Sequence, residues 1–262
     1  MKILVCVKQT IDPEAATAPD DDSDYYRLNP YDAYAMETAL TLRAAAGGEV
    51  DVVSHGPARV ARTIRRAWAM GADRGFHLRG DEAEAAVVAA RLAAWARARS
   101  YDLVLAGAMS EDAMRGVTGP LLAEFLGLPY ATNVVVVNFG GHDTASRPPT
   151  CQFVAVEREI EGGFHEALEL LLPAALTIQT GTAPPRYPTL ANLLRANQTP
   201  LMEIDAASLG FGGHDTASRP PKLQVVRVEL PRPTRAGRLL EGSPAEKAEQ
   251  LARLFRERGL LG

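Results

Sequence analysis

Cysteine is nearly absent. Cys6 and Cys151 are the only two, too few for a disulfide framework and without the spacing of a zinc site. Long apolar runs are also missing: none approaches the ~18 residues of a membrane-spanning helix. The apolar stretch in MKILVCVKQ is too short for a signal-peptide core. Basic charge is not in excess. With 28 Lys and Arg against 32 Asp and Glu the net charge is −4, which argues against a nucleic-acid-binding face. No GxGxxG fingerprint, metal-ligand motif or Ser/His/Asp set occurs, so simple dehydrogenase and hydrolase readings have little support. The compartment these absences favour is the cytoplasm.

What remains is a chain of 262 residues, 47% hydrophobic and 23% charged. It is long enough for one large α/β domain, or one domain plus an extension. The organising stretch is DLVLAGAMSEDAMRGVTGPLLAEFLGLP, Asp102 to Pro129. An apolar run, Leu103 to Ala106, breaks at Gly107 into a polar loop, and a helical pattern resumes near Thr118. Strand, Gly-punctuated loop and helix start make a βα unit whose first helical turn offers free N–H groups to an anion. Gly107, Gly116 and Gly119 permit tight turning and close approach. The same pattern also describes an ordinary βα connection.

Ile3 to Val7, Val50 to Val53, Phe76 to Leu78 and Leu103 to Ala106 read as buried strands. Helices are expected after Asn29-Pro30, with Asn29 as the cap, after Pro57, and over Asp81 to Arg99. Four β-then-α repeats predict a doubly wound, mostly parallel sheet, a Rossmann-like nucleotide-binding fold, with ligands at the strands' carboxyl ends. After Pro129 the pattern changes to strands without helices, including a hairpin about Gly162-Gly163. PPRYP is a rigid turn, Thr189 caps a short helix, Val225 to Leu230 is a late strand, and Ser243 caps a terminal helix. The expected division is residues 1–230 as the α/β domain and 231–262 as a C-terminal arm. The acidic stretch Asp20 to Asp24 reads as an exposed loop. FGGHDTASRPP occurs twice unchanged, at Phe139 to Pro149 and Phe211 to Pro221, beyond what chance produces. A duplication, an engineered insertion or an error in the sequence would each account for it. Both copies read as surface loops.

In ILVCVKQ, NPYDAYAMETAL, SHGPARVARTIRRAWAMGADRG, the Asp102–Pro129 stretch, VEREIEGGFHEALELLLPAALT and PRYPTLANLL, the chain resembles the beta subunit of electron transfer flavoproteins, in one collinear order over roughly residues 1–240. The repeats and the acidic loop fall outside the resemblance. It implies a heterodimer with an alpha subunit, the C-terminal arm packing on that partner. FAD is shared with the alpha subunit, and the beta subunit buries a second nucleotide, AMP, or a second FAD in electron-bifurcating members. Electrons would pass from acyl-CoA or related dehydrogenases to a quinone reductase or another acceptor. The VEREIEGG hairpin resembles the non-bifurcating group. A stand-alone adenine-nucleotide module is the alternative, but it leaves the hairpin and PRYPTL unexplained.

The nucleotide site implied by the resemblance comprises Cys6, Asn29, Pro30, Tyr31, Asp32 and His55. It continues through the loop Gly107, Ala108, Met109, Ser110, Glu111, Asp112, Arg115, Gly116, Val117 and Thr118. The loop departs from the family at Ala113, Met114, Arg115 and Gly116; Arg115 is suited to pair with a phosphate. Glu159 is implied to pair with a basic residue of the alpha subunit. Arg186, Tyr187, Leu190 and Leu194 are implied to grip a dehydrogenase, with Leu190 as the anchor.

Overall fold

The computed structural model describes residues 1–12, 26–81, 84–140, 152–209, 237 and 239–260. In chain order its main elements are β1 (Lys2–Cys6), β2 (Gln9–Ile11), β3 (Tyr26–Leu28), α1 (Pro30–Ala46), β4 (Glu49–Gly56), α2 (Ala61–Gly71), β5 (Arg74–Arg79), α3 (Ala85–Arg97), β6 (Leu103–Gly107) and α4 (Thr118–Leu126). Then follow β7 (Tyr130–Gly140), β8 (Phe153–Ile160), β9 (Phe164–Leu171), β10 (Ala174–Ile178), α5 (Leu190–Gln198), β11 (Met202–Asp205) and α6 (Pro244–Glu257). By internal contacts the chain falls into two units, Met1–Gln224 and Val225–Gly262.

The first unit is built on a nine-stranded sheet in the order β11-β5-β4-β1-β6-β10-β7-β8-β9. Every pairing from β11 across to β7 is parallel; β8 and β9 add an antiparallel edge. The chain goes from β1 to β4 on one side and later to β6 on the other, so the order reverses between β1 and β6. Helices cover both faces because successive strand residues point to opposite sides. Ile3, Val5, Val50 and Val52 join α1 and α2 in one core. Leu4, Cys6, Val53 and Phe76 join α3 and α4 in a second. The continuous apolar runs of β1, β6 and β10 are what a strand buried on both faces requires.

Several expected boundaries move. The second strand runs through Ser54 and His55 to Gly56 rather than ending at Val53, because its outer residues pair with β5. The helix expected from Asp81 begins at Ala85. β2, β3 and β11 are strands that short, mixed-polarity segments did not announce; β11 forms only by pairing with β5. The first repeat copy starts inside β7, which includes Phe139 and Gly140. The rest of that copy, the second copy, the Asp20 to Asp24 loop, Cys151 and the Val225 to Leu230 strand lie outside the described residues. No described helix is long and apolar enough to cross a membrane. In the second unit, α6 opens with a capping box: Ser243 Oγ accepts from Glu246 N, and the Glu246 carboxylate accepts from Ser243 N at 2.7 Å.

Because adjacent residues of β1 serve different cores, Ile3→Ala and Leu4→Ala should both be severe. Each should cost about 2–5 kcal/mol in urea unfolding. If one of the pair is nearly neutral, the sheet is covered on one face only.

Candidate functional site at the strand reversal

The strand order reverses between β1 and β6, and the crevice at the carboxyl ends of strands at such a reversal is where open α/β sheets bind ligands. Asp32, in the first turn of α1, closes its floor. One carboxylate oxygen accepts from the backbone N–H of Lys8 at 2.7 Å, the other from that of Gly107 at 2.9 Å. These amides lie two residues past the end of β1 and at the last residue of β6, so one side chain ties both strand ends to the helix. Asp32 is buried. Burial pushes its carboxyl up to about 7, against the two amides and the Lys8 charge, which favour the ionised form. The contact also explains Gly107: a Cβ there would lie 2.5 Å from Asp32 Oδ1 and 2.6 Å from Tyr31 Cβ. Pro30 begins the helix just before them.

The loop from Ala108 to Val117 is held over this floor by three side chains. Asn29 stands at the helix N-cap position but caps nothing with its side chain. Its amide Nδ2 donates to Met109 O at 2.9 Å, and its Oδ1 accepts from Glu111 N at 3.2 Å. The expected side-chain cap is therefore corrected to a tether: the loop offers a buried amide both a donor and an acceptor. Lys8 Nζ donates to Asp112 at 2.6 Å and to Ser110 Oγ at 3.1 Å. Burial opposes the charge of Asp112, but these bonds hold its carboxyl below the ordinary value. Arg27 bridges Asp12 at 2.9 Å and Glu111 at 2.7 Å.

Beyond Asp112 the loop turns outward. Ala113 and Arg115 are exposed, and Met114, also exposed, holds φ +52°, a conformation that disfavours branched or bulky side chains. Gly116, at φ +62°, folds the chain back; a Cβ there would meet Ala108 O at 3.1 Å. α4 then starts at Thr118 with no side-chain cap at Val117, so the first N–H groups of the helix have no acceptor within it. Gly119 packs against Thr177 of β10.

The remaining site candidates divide. Cys6 is buried in the second core, and burial, with the Asp32 charge, pushes its thiol far up, so it is a small packing residue and not a nucleophile. His55, at the end of β4, accepts at Nε2 from Arg91 at 2.8 Å. Arginine can only donate, so the proton sits on Nδ1. Burial and then the Arg91 charge push the ring down to about 4, which keeps it neutral near pH 7. Among the described residues no group of three His, Cys, Asp or Glu side chains could hold a metal.

A second surface is built by the PPRYP turn and α5. Glu37 of α1 takes Arg186 in a bidentate pair, 2.8 Å to Nε and 2.7 Å to Nη2, and also accepts its backbone N–H at 3.1 Å. Partial burial opposes the charge of Glu37, but the guanidinium holds its carboxyl below the ordinary value. At the other end, Arg65 of α2 donates to the carbonyls of Ala196, Asn197 and Thr199, filling the acceptors at the α5 C-terminus. Thr189 caps the N-terminus, accepting from Asn192 N at 3.2 Å. Between these clamps Tyr187, Leu190 and Leu194 stand 88%, 72% and 54% exposed, a cluster of large apolar side chains left in water. Glu159 is exposed on β8, 3.5 Å from Gln179 Nε2. Ile160 and Phe164 at the hairpin tip are exposed too.

A family model described as "Electron transfer flavoprotein domain" matches residues 20–209. The chain is 37% identical to the electron transfer flavoprotein subunit beta of Sus scrofa, over 99% of this chain and 98% of the relative. It is 31% identical to that of Bacillus subtilis and 32% to that of Methylophilus methylotrophus, each over 98% of both chains. The chain belongs to the electron transfer flavoprotein beta subunit family. Its role therefore lies in electron transfer. Membership gives the crevice loop and the clamped turn a common setting, and the structure adds residues that sequence patterns did not single out. Lys8 lies in the link after β1, and Arg27, Glu37 and Arg65 sit in a strand and two helices whose local pattern explains them without function. Only the distant partners reveal what they hold.

The tie at Asp32 sets a pH test. Its folded value, about 7, lies above the ordinary 3.8. Its contribution to stability is thus complete below the unfolded value and lost as pH rises through the folded one. Compared with Asp32→Asn, the wild-type melting temperature should fall between about pH 4 and pH 7 and run parallel above. A constant difference across that range would mean that Asp32 is ionised throughout.

Proposed function

We propose that the protein is the beta subunit of a heterodimeric electron transfer flavoprotein, accepting electrons from acyl-CoA-type dehydrogenases and passing them to a quinone reductase or another acceptor. In this reading an alpha subunit shares the FAD, and the crevice loop carries a structural AMP. One observation carries the nucleotide assignment. The loop at the strand reversal doubles back through Gly116 at positive φ and opens onto the uncapped N-terminus of α4. Backbone N–H groups and a positive dipole end arranged in this way suit a phosphate. Gly116, Val117 and Thr118 would hold it through main-chain N–H and the Thr118 hydroxyl. The Ser110–Asp112 part is less suited, because two carboxylates there already occupy Lys8 and Arg27. Cys6, Asn29 to Asp32 and His55 would line the rest, with His55 offering an Nδ1–H donor.

When bound, the FAD supplies the electron-carrying chemistry. The chain's own part is positioning. The β8–β9 hairpin presents Glu159, Ile160 and Phe164 for the alpha subunit, and the Arg186–Leu194 segment presents Leu190 to a dehydrogenase. The clamps at Arg186 and Arg65 support this docking reading, because a preorganised loop loses less conformational freedom on binding. In this role the subunit carries out no substrate chemistry.

Two outcomes follow. Gly116→Val should lower AMP content and melting temperature of the purified heterodimer while FAD occupancy stays near wild type, as read by acid extraction and chromatography. The wild type should release one FAD and one AMP; two FAD would replace the carrier reading with the bifurcating one, and unchanged AMP in the variant would remove the loop from the site. Leu190→Ala should weaken docking of the dehydrogenase by on the order of 2 kcal/mol, roughly thirtyfold in affinity, with the flavin spectrum unchanged. Unaltered partner kinetics would show that this leucine makes no contact there.

A further inference from the structure

Beside the clamped turn lies a cleft of about 540 Å³ between β3, the start of α1, α2 and the PPRYP segment. Its lining is aromatic and cationic, with Tyr26, Tyr34 and Tyr187 beside Arg62 and Arg66, and includes Met70. The charge has a source in the sequence. Arg59, Arg62, Arg65 and Arg66 follow one another within eight residues, and no Asp or Glu occurs between Asp51 and Asp73. In a chain of net charge −4 this is a concentrated basic face. The four arginines have different surroundings. Arg65 caps α5, and Arg59 stacks on Tyr26 at 4.8 Å. Arg62 and Arg66, one helical turn apart and so on one side of α2, border the cleft. Arg66 lies 6.0 Å from the Tyr187 ring, and among the described residues no carboxylate pairs with it.

We propose that this cleft receives a carboxylate-bearing segment of the dehydrogenase partner, docking beside the leucine anchor. The inference rests on the docking role of Leu190 and deepens it by naming the partner's chemistry. Three features select an acidic protein segment. The cleft's wall includes Tyr187, so it is continuous with the exposed apolar cluster at Leu190 and Leu194. Guanidinium groups beside tyrosine rings suit a planar carboxylate followed by an apolar side chain. The Arg66 charge steers an oppositely charged partner and contributes to the salt dependence of its association. Leu190 then supplies buried apolar contact while Arg66 supplies orientation and rate of encounter.

The test uses the purified heterodimer and an acyl-CoA dehydrogenase that reduces its wild-type form. Arg66→Glu should raise the KM for the flavoprotein on the order of fivefold, with the effect falling on KM and not on kcat. It should also flatten the decline of kcat/KM with ionic strength. Arg66→Lys should restore most of the loss, and Arg62→Glu should act in the same direction. If Leu190→Ala raises KM while both charge reversals leave KM and its salt dependence within twofold of wild type, the cleft proposal is overturned and the docking role stands. If none of the three substitutions changes KM, both are overturned. If Arg66→Glu lowers AMP content and leaves KM alone, the cleft is a nucleotide subsite and the proposal is also overturned.

Discussion

The architecture of the crevice depends on one carboxylate. Parallel strands that diverge at a reversal leave backbone N–H groups at their ends with no neighbouring strand to take them. Asp32 accepts two of these, one from each diverging strand, and so fixes the distance between the β1 and β6 ends and the start of α1. The glycine at 107 follows from that contact, since a Cβ would collide with the carboxylate. The loop that begins there inherits its direction from the same pair. A carboxylate in a buried place carries a desolvation cost, and two amide hydrogen bonds offset part of it.

Above that floor, charge is arranged in local pairs. Glu111 and Asp112 would repel an anionic ligand if left alone, but Arg27 and Lys8 compensate them. The first half of the loop is thereby tied down, while Ala113, Met114 and Arg115 beyond it are exposed. Met114 and Gly116 turn the loop there through left-handed conformations.

The turn and helix at residues 184–198 follow another logic. An apolar cluster exposed on a segment of its own would collapse onto the body or adopt many arrangements. Two arginine contacts hold it in place instead: Arg186 of the turn donates to the Glu37 carboxylate on α1, and Arg65 of α2 donates to carbonyls at the end of α5. The same α2 that supplies Arg65 also carries Arg62 and Arg66, so one helix both braces α5 and places cations beside it.

Much of this was legible from local pattern. The apolar runs of β1, β6 and β10, the helix start at Thr118, the Thr189 and Ser243 caps and the hairpin about Gly162 rest on dihedral preferences and periodicities that act over a few residues. Short strands were not legible, because Gln9–Ile11 and Met202–Asp205 become strands only through partners elsewhere. Side-chain roles were less legible still. Asn29 has the identity and position of a helix cap, yet its amide serves a loop about eighty residues away. Arg186 is singled out only through the resemblance, as part of a partner-gripping segment, and its ion-pair partner Glu37 lies 149 positions away. The sequence by itself determined where the chain turns, which faces are apolar and which family it resembles, because those depend on neighbouring residues. Only the tertiary structure decided which partner each long polar side chain takes, because several are chemically equivalent along the chain and distance alone selects among them.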